Sequence, residues 1–147
     1  MPKFHDRIDI AAASQKVWAV WSDVRRWHEW TASISSIEPL LAGPVQVGSR
    51  VRIQQPRLRP NLWTVTEWLP EQGFVWEARV PGLFMRGSHR LLDHDGGCTA
   101  ELGLAFEGLL SRPVAWWGGR LIVEYMRLEA EGLKRRSEAP LDGPRDR

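Results

Sequence analysis

The sequence predicts one α+β domain in which a seven-stranded antiparallel sheet curves around a long C-terminal helix. Three observations lead to this prediction. One strand-like segment is followed directly by two short helical segments. Six more strand-like segments then lie between residues 34 and 109, and the short turns between them indicate antiparallel pairing. The last long segment has the periodicity of an amphipathic helix and is the only element long enough to cover the sheet.

Size and composition fit such a domain. The chain has 147 residues, 43% of them hydrophobic and 26% charged, which is enough to bury a core without disulfides or metal ions. A single cysteine, Cys98, excludes an internal disulfide framework and a multi-cysteine zinc site. The apolar runs fall short of the roughly 18 residues that a membrane span needs, and the first ten residues lack a signal-peptide core. We therefore expect a cytoplasmic protein without stable membrane insertion.

Tryptophan is over-represented: the chain has nine Trp, one Tyr and four Phe. Such a set indicates either a very aromatic core or a wide pocket lined with aromatic rings. The net charge is only +2, and the 18 acidic residues are spread along the chain, so composition assures no large basic face.

The first 30 residues predict a strand and two short helices. Residues 4–10 alternate between apolar and polar side chains, which is typical of a strand. Ser14 is a candidate N-cap for a helix over 15–22, and Asp23 can cap a second short helix over Val24–His28.

Turn signals divide the middle of the chain into strands. Asp95-Gly96 is a strong hairpin signal, and Gly and Pro mark most of the other turns. The six predicted strands are Ile34–Leu41, Arg50–Gln55, Leu62–Leu69, Phe74–Val80, Phe84–Leu92 and Thr99–Leu109.

The final helix is predicted over about 111–136, with Ser111 as its cap and Pro113 in its first turn. Gly118-Gly119 inside it should cost roughly 1 kcal/mol each relative to Ala, which indicates either a kink or a close neighbour. The domain is therefore predicted over residues 1–136, followed by a disordered tail over 137–147.

Several local patterns, in this order of elements, resemble the START-like (SRPBCC) superfamily of polyketide cyclases and lipid transport proteins. The match covers roughly residues 3–136. The patterns are Val17-Trp18 followed by Asp23 and Trp27-His28-Glu29-Trp30, then Val47-Gly48-Ser49-Arg50-Val51, Trp63-Thr64-Val65-Thr66-Glu67 with Pro70, Gly97-Cys98-Thr99, and Leu128-Glu129-Ala130-Glu131-Gly132-Leu133-Lys134. The resemblance implies a helix-grip fold with a pocket between the sheet and the long helix. Members bind apolar or aromatic small molecules, carry lipids, cyclise and dehydrate polyketides, or act as partners of other proteins.

Strand alternation decides which residues can face such a pocket. The apolar phases of the predicted strands should point inward, and the resemblance supports this for the strand that holds Trp63. The predicted ligand-binding residues are Trp30, Trp63, Val65, Trp76, Ala78, Leu102, Leu104, Trp117 and Leu121.

Two side chains are candidates for acid–base catalysis. His89 falls on an inward phase, where a neutral imidazole can act as acid or base near neutral pH. Glu67 would lie near the inner rim, and desolvation could raise its pKa. Both also have a structural explanation, as a hydrogen-bonded buried histidine and an exposed strand-end carboxylate. Sequence places no second carboxylate beside Glu67, so a convergent acid–base pair is lacking.

Other chemistries find little support. No nucleophile motif, phosphate loop or pair of histidines at helical spacing is present, so we expect no metal and no cofactor. The basic run from Arg50 to Arg59 contains no stacking aromatic residue, and a solvated strand face and loop explains it better than a nucleic-acid site. We expect no nucleic-acid partner.

Three functions remain. The favoured one is binding of a hydrophobic, aromatic, lipid- or polyketide-like small molecule between sheet and helix. The second is a cyclase or dehydratase in which His89 or Glu67 moves a proton. The third is a partner-binding module, which predicts an exposed contiguous apolar patch. The sequence does not decide between a monomer and a homodimer.

Overall fold

The computed structural model describes residues 1–140 and shows the predicted fold, a seven-stranded antiparallel sheet against a long C-terminal helix. The strands are β1 (Lys3–Ile10), β2 (Ser36–Pro39), β3 (Arg50–Gln54), β4 (Asn61–Leu69), β5 (Gly73–Val80), β6 (Leu83–His94) and β7 (Gly97–Glu107). Helix α1 (Ser14–Trp21) follows β1, a short 3-10 helix (Val24–Glu29) follows α1, and helix α2 (Ser111–Glu138) follows β7. No helix within residues 1–140 is both long and apolar enough to cross a membrane.

The strand order is β1-β7-β6-β5-β4-β3-β2, so successive strands pair from β2 to β7 and the first strand pairs with the last. The segment with α1 and the 3-10 helix therefore crosses from one edge of the sheet to the other. Both α-helices contact each other and cover the same face. That inner face is where a core or a cavity has to lie.

Seven of the nine tryptophans belong to the core or pack against it. Trp21 and Trp27 are almost fully buried. The Trp27 indole N–H donates to the Trp21 backbone oxygen at 2.9 Å, which satisfies the polar atom that a buried indole carries. Trp18, Trp68 and Phe74 pack edge-on or tilted against each other under α1, with ring centroids 5.1–6.2 Å apart.

Element ends differ from the sequence prediction in detail. Ala13 and Leu110 occupy the N-cap positions, and Ser14 and Ser111 are the first helical residues, so neither serine caps its helix. The strand predicted over Ile34–Leu41 is shorter, with β2 confined to Ser36–Pro39.

Helix α2 extends two residues beyond the predicted domain boundary at 136, and Ser137 is fully buried. Contacts with the end of β1 explain the extension. The Glu138 carboxylate accepts from the Ala11 backbone N–H at 2.7 Å, and Lys134 Nζ donates to the Asp9 carbonyl at 3.0 Å. Of the tail predicted over 137–147, residues 141–147 lie outside the described residues.

The glycines of α2 have different surroundings. At Gly118 and Gly119 an added Cβ would meet only ordinary van der Waals neighbours, at 3.8–3.9 Å, and the helix runs on through both. At Gly132 an added Cβ would overlap the Trp30 backbone oxygen. The close approach that needs a glycine is therefore at Gly132, not at the Gly118-Gly119 pair.

Candidate functional site

A cavity of about 300 Å³ lies between the inner face of the sheet and α2. Its wall is mainly apolar and draws on strands β3 to β7, the 3-10 helix and α2. Its large apolar side chains include Trp27, Trp63, Trp76, Met85, Phe106, Ile122 and Met126. The volume is at the small end of the range for ligand pockets.

Gly87 keeps part of this space open. It lies on the inner face of β6, where Trp76 of β5 and Leu104 of β7 are its cross-strand neighbours. A Cβ at Gly87 would lie 3.1 Å from two atoms of the Trp76 indole. A Cβ there would therefore need the Trp76 ring to shift by a few tenths of an ångström, and a larger side chain would occupy part of the cavity.

His89 is the buried polar side chain of β6, 6% exposed and part of the cavity wall. Its ring stacks on Phe74 with a centroid distance of 4.0 Å and an interplanar angle of 8°. Its Nδ1 lies 3.3 Å from the Phe74 carbonyl oxygen. Since a carbonyl only accepts, Nδ1 carries the hydrogen and donates. In the neutral ring, Nε2 is then left with a free lone pair.

Glu129 of α2 faces that lone pair. Its Oε2 lies 3.7 Å from His89 Nε2 and accepts a hydrogen bond from the Trp21 indole N–H at 3.0 Å. Its side chain is only 15% exposed, and it also lines the cavity. Glu129 is thus a second titratable group beside His89, which the sequence analysis did not predict.

Burial shifts both groups towards their neutral forms. It raises the pKa of Glu129 to about 7, against the opposing effect of the Trp21 hydrogen bond. It lowers the pKa of His89 to about 3, against the opposing effect of the bond to the Phe74 carbonyl. Between about pH 3 and pH 7 the site therefore holds a protonated carboxyl next to a neutral imidazole, a donor next to an acceptor.

Six predicted site residues line the cavity: Trp63, Trp76, His89, Leu102, Leu104 and Leu121. Val65 and Ala78 are buried on the inner face without being part of the wall. Their larger cross-strand neighbours, Trp76 beside Val65 and Met85 beside Ala78, form the wall instead.

Two predicted tryptophans lie elsewhere. Trp30 ends the 3-10 helix and packs against Gly132 of α2 and the Trp27 ring, away from the cavity wall. Trp117 is 80% exposed on the surface of α2. Its placement in the wall was wrong because the neighbouring Gly118, which carries no side chain, holds the cavity-facing position.

Glu67 faces away from the cavity. The pairing of β4 with β5 shifts between Val65 and Glu67, so that Val65 opposes Trp76 while Glu67 opposes Val75. Such a bulge moves every later residue of the strand to the other face. Glu67 therefore shares the outer face with Val75, and its predicted place at the inner rim was wrong.

Glu129 was not among the sequence candidates, because charged residues near the end of an amphipathic helix normally face solvent. A signal did exist. Glu129 lies four and eight residues after Tyr125 and Leu121, on the same helical stripe, and both of these line the cavity.

The cavity opens between the first half of α2 and two sheet connections. Leu58 and Arg59 of the β3–β4 loop and Val80 at the end of β5 are exposed and also line the cavity. The Tyr125 hydroxyl donates to the Pro56 carbonyl, which ties α2 to the β3–β4 loop. Within residues 1–140, no group of three or more His, Cys, Asp or Glu side chains could hold a metal ion.

The chain is similar to one protein family and to several solved structures. The family model described as polyketide cyclase/dehydrase and lipid transport matches residues 1–138. No curated protein matches the chain. Among solved structures, the protein TTHA0849 from Thermus thermophilus is 17% identical with a TM-score of 0.74, covering 92% of this chain and 97% of its own.

Two di-domain ARO/CYC proteins are also similar. StfQ, from the steffimycin biosynthetic pathway, has a TM-score of 0.74 at 12% identity over 92% of this chain. BexL, from the BE-7585A pathway, has a TM-score of 0.70 at 20% identity over 94% of this chain. The chain spans about half the length of each, 50% of StfQ and 47% of BexL. At these identities the likeness shows the fold.

Proposed function

The chain belongs to the polyketide cyclase/dehydrase and lipid transport family, and we propose that it binds a compact, flat, mainly apolar molecule that carries one hydroxyl group. The observation that carries this proposal is the apolar cavity with the His89–Glu129 pair in its wall. Indole rings of Trp63 and Trp76, 6.1 Å apart, offer faces for a flat ring system.

The buried pair sets the polar requirement. A hydroxyl group can donate to the free Nε2 of His89 and accept from the protonated Glu129 carboxyl at the same time. A ligand without a polar group would leave both buried atoms without a partner, which costs binding free energy. Selectivity for a hydroxylated ligand over its plain hydrocarbon follows from this pair.

Isothermal titration calorimetry with naphthol and naphthalene tests the proposal, because the two ligands share their rings and differ in one hydroxyl. We expect naphthol to bind roughly 30-fold more tightly, the effect of two additional hydrogen bonds at about 1 kcal/mol each. Leu121→Trp should block the cavity and abolish binding. Val123→Trp adds the same ring to the exposed side of α2 and should bind like the wild type. Equal binding by both variants would place the ligand elsewhere.

A second candidate function is acid–base catalysis, favoured by the 3.7 Å approach of Glu129 to His89. In a cyclisation of the aldol type, His89 Nε2 would take a proton from a carbon next to a carbonyl. That carbon would bond to a second carbonyl carbon, while the Glu129 carboxyl protonates its oxygen. Proton transfer from His89 to Glu129 then restores the pair.

Turnover of a short linear triketone tests this second function: its cyclic aldol loses water and enolises to an aromatic ring, which is followed by near-ultraviolet absorbance. His89→Gln and Glu129→Gln should each lower the rate at least 100-fold, the usual size of a general acid–base contribution. Glu67→Gln is the matched control, because Glu67 lies on the outer face. Wild-type rates in His89→Gln would leave binding as the function of the cavity.

A further inference from the structure

The first turns of α2 carry a large exposed apolar surface. Trp116 and Trp117 are 78% and 80% exposed, with their rings edge to face at 5.0 Å. Leu109 just before the helix is 92% exposed, and Val123, two turns after Trp116, is 56% exposed. We call the surface formed by Leu109, Leu110, Arg112, Trp116, Trp117, Arg120 and Val123 the α2 entry surface. Contiguous exposed apolar surfaces of this kind mark interaction sites.

The charges on this surface have one sign. Arg112 and Arg120 are exposed, and no acidic residue occurs from 108 to 123. Glu107 and Glu124 flank the segment, and Glu124 lies 3.9 Å from Arg57 of the β3–β4 loop. Arg59 of the same loop is also exposed. The surface therefore combines large amphipathic rings with uncompensated positive charge.

The α2 entry surface is continuous with the mouth of the cavity. Val114 and Gly118, which flank its tryptophans along α2, line the cavity, as do the exposed Leu58 and Val80. The Leu110 backbone N–H donates to the Gly82 carbonyl at 2.9 Å, which holds the start of α2 against the β5–β6 turn. The surface and the mouth therefore lie at the same end of the molecule.

We propose that the α2 entry surface docks on an anionic lipid bilayer. Tryptophan indoles favour the boundary between headgroups and acyl chains, because one part of the ring is apolar and the N–H is polar. Arginines beside them are attracted to anionic headgroups. A second copy of this chain fits less well, because a two-fold interface would bring Arg112 and Arg120 near the same residues of the partner. Docking itself does not depend on the proposed ligand.

Sedimentation of the purified full chain with lipid vesicles tests the docking. We expect binding to vesicles of phosphatidylcholine with about one third phosphatidylserine, weak binding to phosphatidylcholine alone, and a loss of binding at high salt. Trp116→Ala/Trp117→Ala should lower vesicle binding at least tenfold. Arg112→Gln/Arg120→Gln should remove the preference for phosphatidylserine. Leu41→Ala/Val47→Ala is the matched control, since Leu41 and Val47 are 82% and 60% exposed outside this surface, and should bind like the wild type.

The docking proposal fails if the wild type binds neither the vesicles with phosphatidylserine nor those of phosphatidylcholine alone. The same conclusion follows if Trp116→Ala/Trp117→Ala binds vesicles as tightly as the wild type. It also fails if the wild type sediments as a dimer that the tryptophan variant converts to a monomer, because a second copy then covers the surface. Circular dichroism checks that each variant folds. Naphthol binding by the tryptophan variant should be unchanged, so a failure of docking is distinct from a failure of the proposed ligand site.

Discussion

At the scale of single residues, Trp21, His89 and Glu129 form one buried polar cluster beside the cavity. Trp21 donates to Glu129 at 3.0 Å, and Glu129 faces His89 Nε2 at 3.7 Å. On its other nitrogen, His89 donates to the Phe74 carbonyl at 3.3 Å. The Phe74 carbonyl thereby fixes the tautomer, and Trp21 fixes one carboxyl oxygen. One further proton can be held by either His89 Nε2 or the Glu129 carboxylate. Burial favours the neutral forms of both groups, with the proton on the Glu129 carboxyl.

These two pKa shifts act on stability in opposite directions. Folding raises the pKa of Glu129 from 4.5 to about 7. Its contribution to the free energy of unfolding is therefore complete below 4.5 and is lost as the pH rises to about 7. Folding lowers the pKa of His89 from 6.5 to about 3. Its contribution is complete above 6.5 and is lost as the pH falls to about 3. Between pH 4.5 and 6.5 the two effects offset each other.

Glu129→Gln should separate the two effects. The variant lacks the ionisation that destabilises the wild type at high pH, so its stability relative to the wild type should rise by up to roughly 3 kcal/mol between about pH 4.5 and pH 8. Urea unfolding at several pH values measures this difference. His89→Gln is the matched variant, and its stability relative to the wild type should rise as the pH falls. A Glu129→Gln difference that is constant with pH would mean that the Glu129 pKa is not raised.

At the scale of elements, strand alternation predicted the inner faces of β5, β6 and β7 because pairing is regular along these strands. It failed in β4 after Val65, where the bulge moves Glu67 to the outer face. Trp68 pairs with Phe74 and faces inward, so the inward residues of β4 are Trp63, Val65 and Trp68, with a spacing of three after Val65. Strict alternation cannot give this spacing, and it therefore placed Glu67 inward and Trp68 outward.

The same limit applies to α2. Hydrophobic periodicity located its buried stripe, but it assigned the wall position to Trp117 and overlooked Glu129. Gly118 faces the cavity without contributing hydrophobicity, and Glu129 faces it despite its charge. Hydrophobic periodicity assigns large apolar residues to the inner face and charged residues to the outer face. It therefore misses cavity positions that hold a glycine or a polar side chain.

The glycines of α2 give the prediction that belongs to this scale. Gly119→Ala should stabilise the protein by up to about 1 kcal/mol, because Ala has the higher helix propensity and its Cβ would meet Phe4 at an ordinary 3.8 Å. Gly132→Ala should destabilise it by about 1–3 kcal/mol or more, because the Cβ overlaps the Trp30 backbone oxygen. Thermal unfolding of both variants measures the contrast. Equal effects of the two substitutions would show that α2 does not approach Trp30 as closely as described.

At the scale of the whole molecule, the sheet and α2 meet at the two ends of the helix and leave space between them. At the C-terminal end, Gly132 lets α2 touch Trp30, and Glu138 bonds to the end of β1. At the N-terminal end Leu110 bonds to the β5–β6 turn, and in the middle of the helix Tyr125 bonds to the β3–β4 loop. These contacts hold the cavity open without filling it. Side chains that line an unfilled apolar space lack packing partners on one side.

The empty cavity therefore lowers the free energy of unfolding, and filling it with a side chain or a ligand should raise that free energy. Without ligand, Leu121→Trp should unfold at a temperature a few degrees above the wild type, corresponding to about 1 kcal/mol of added packing. With naphthol at 100 times its dissociation constant, the wild type should gain about 2.7 kcal/mol and the variant almost nothing. The order of the two melting temperatures should thus invert when naphthol is added. Differential scanning fluorimetry with and without naphthol measures both values, with Val123→Trp as the control that should follow the wild type. A variant that is less stable than the wild type and still shifts with naphthol would show that Leu121 does not border the ligand.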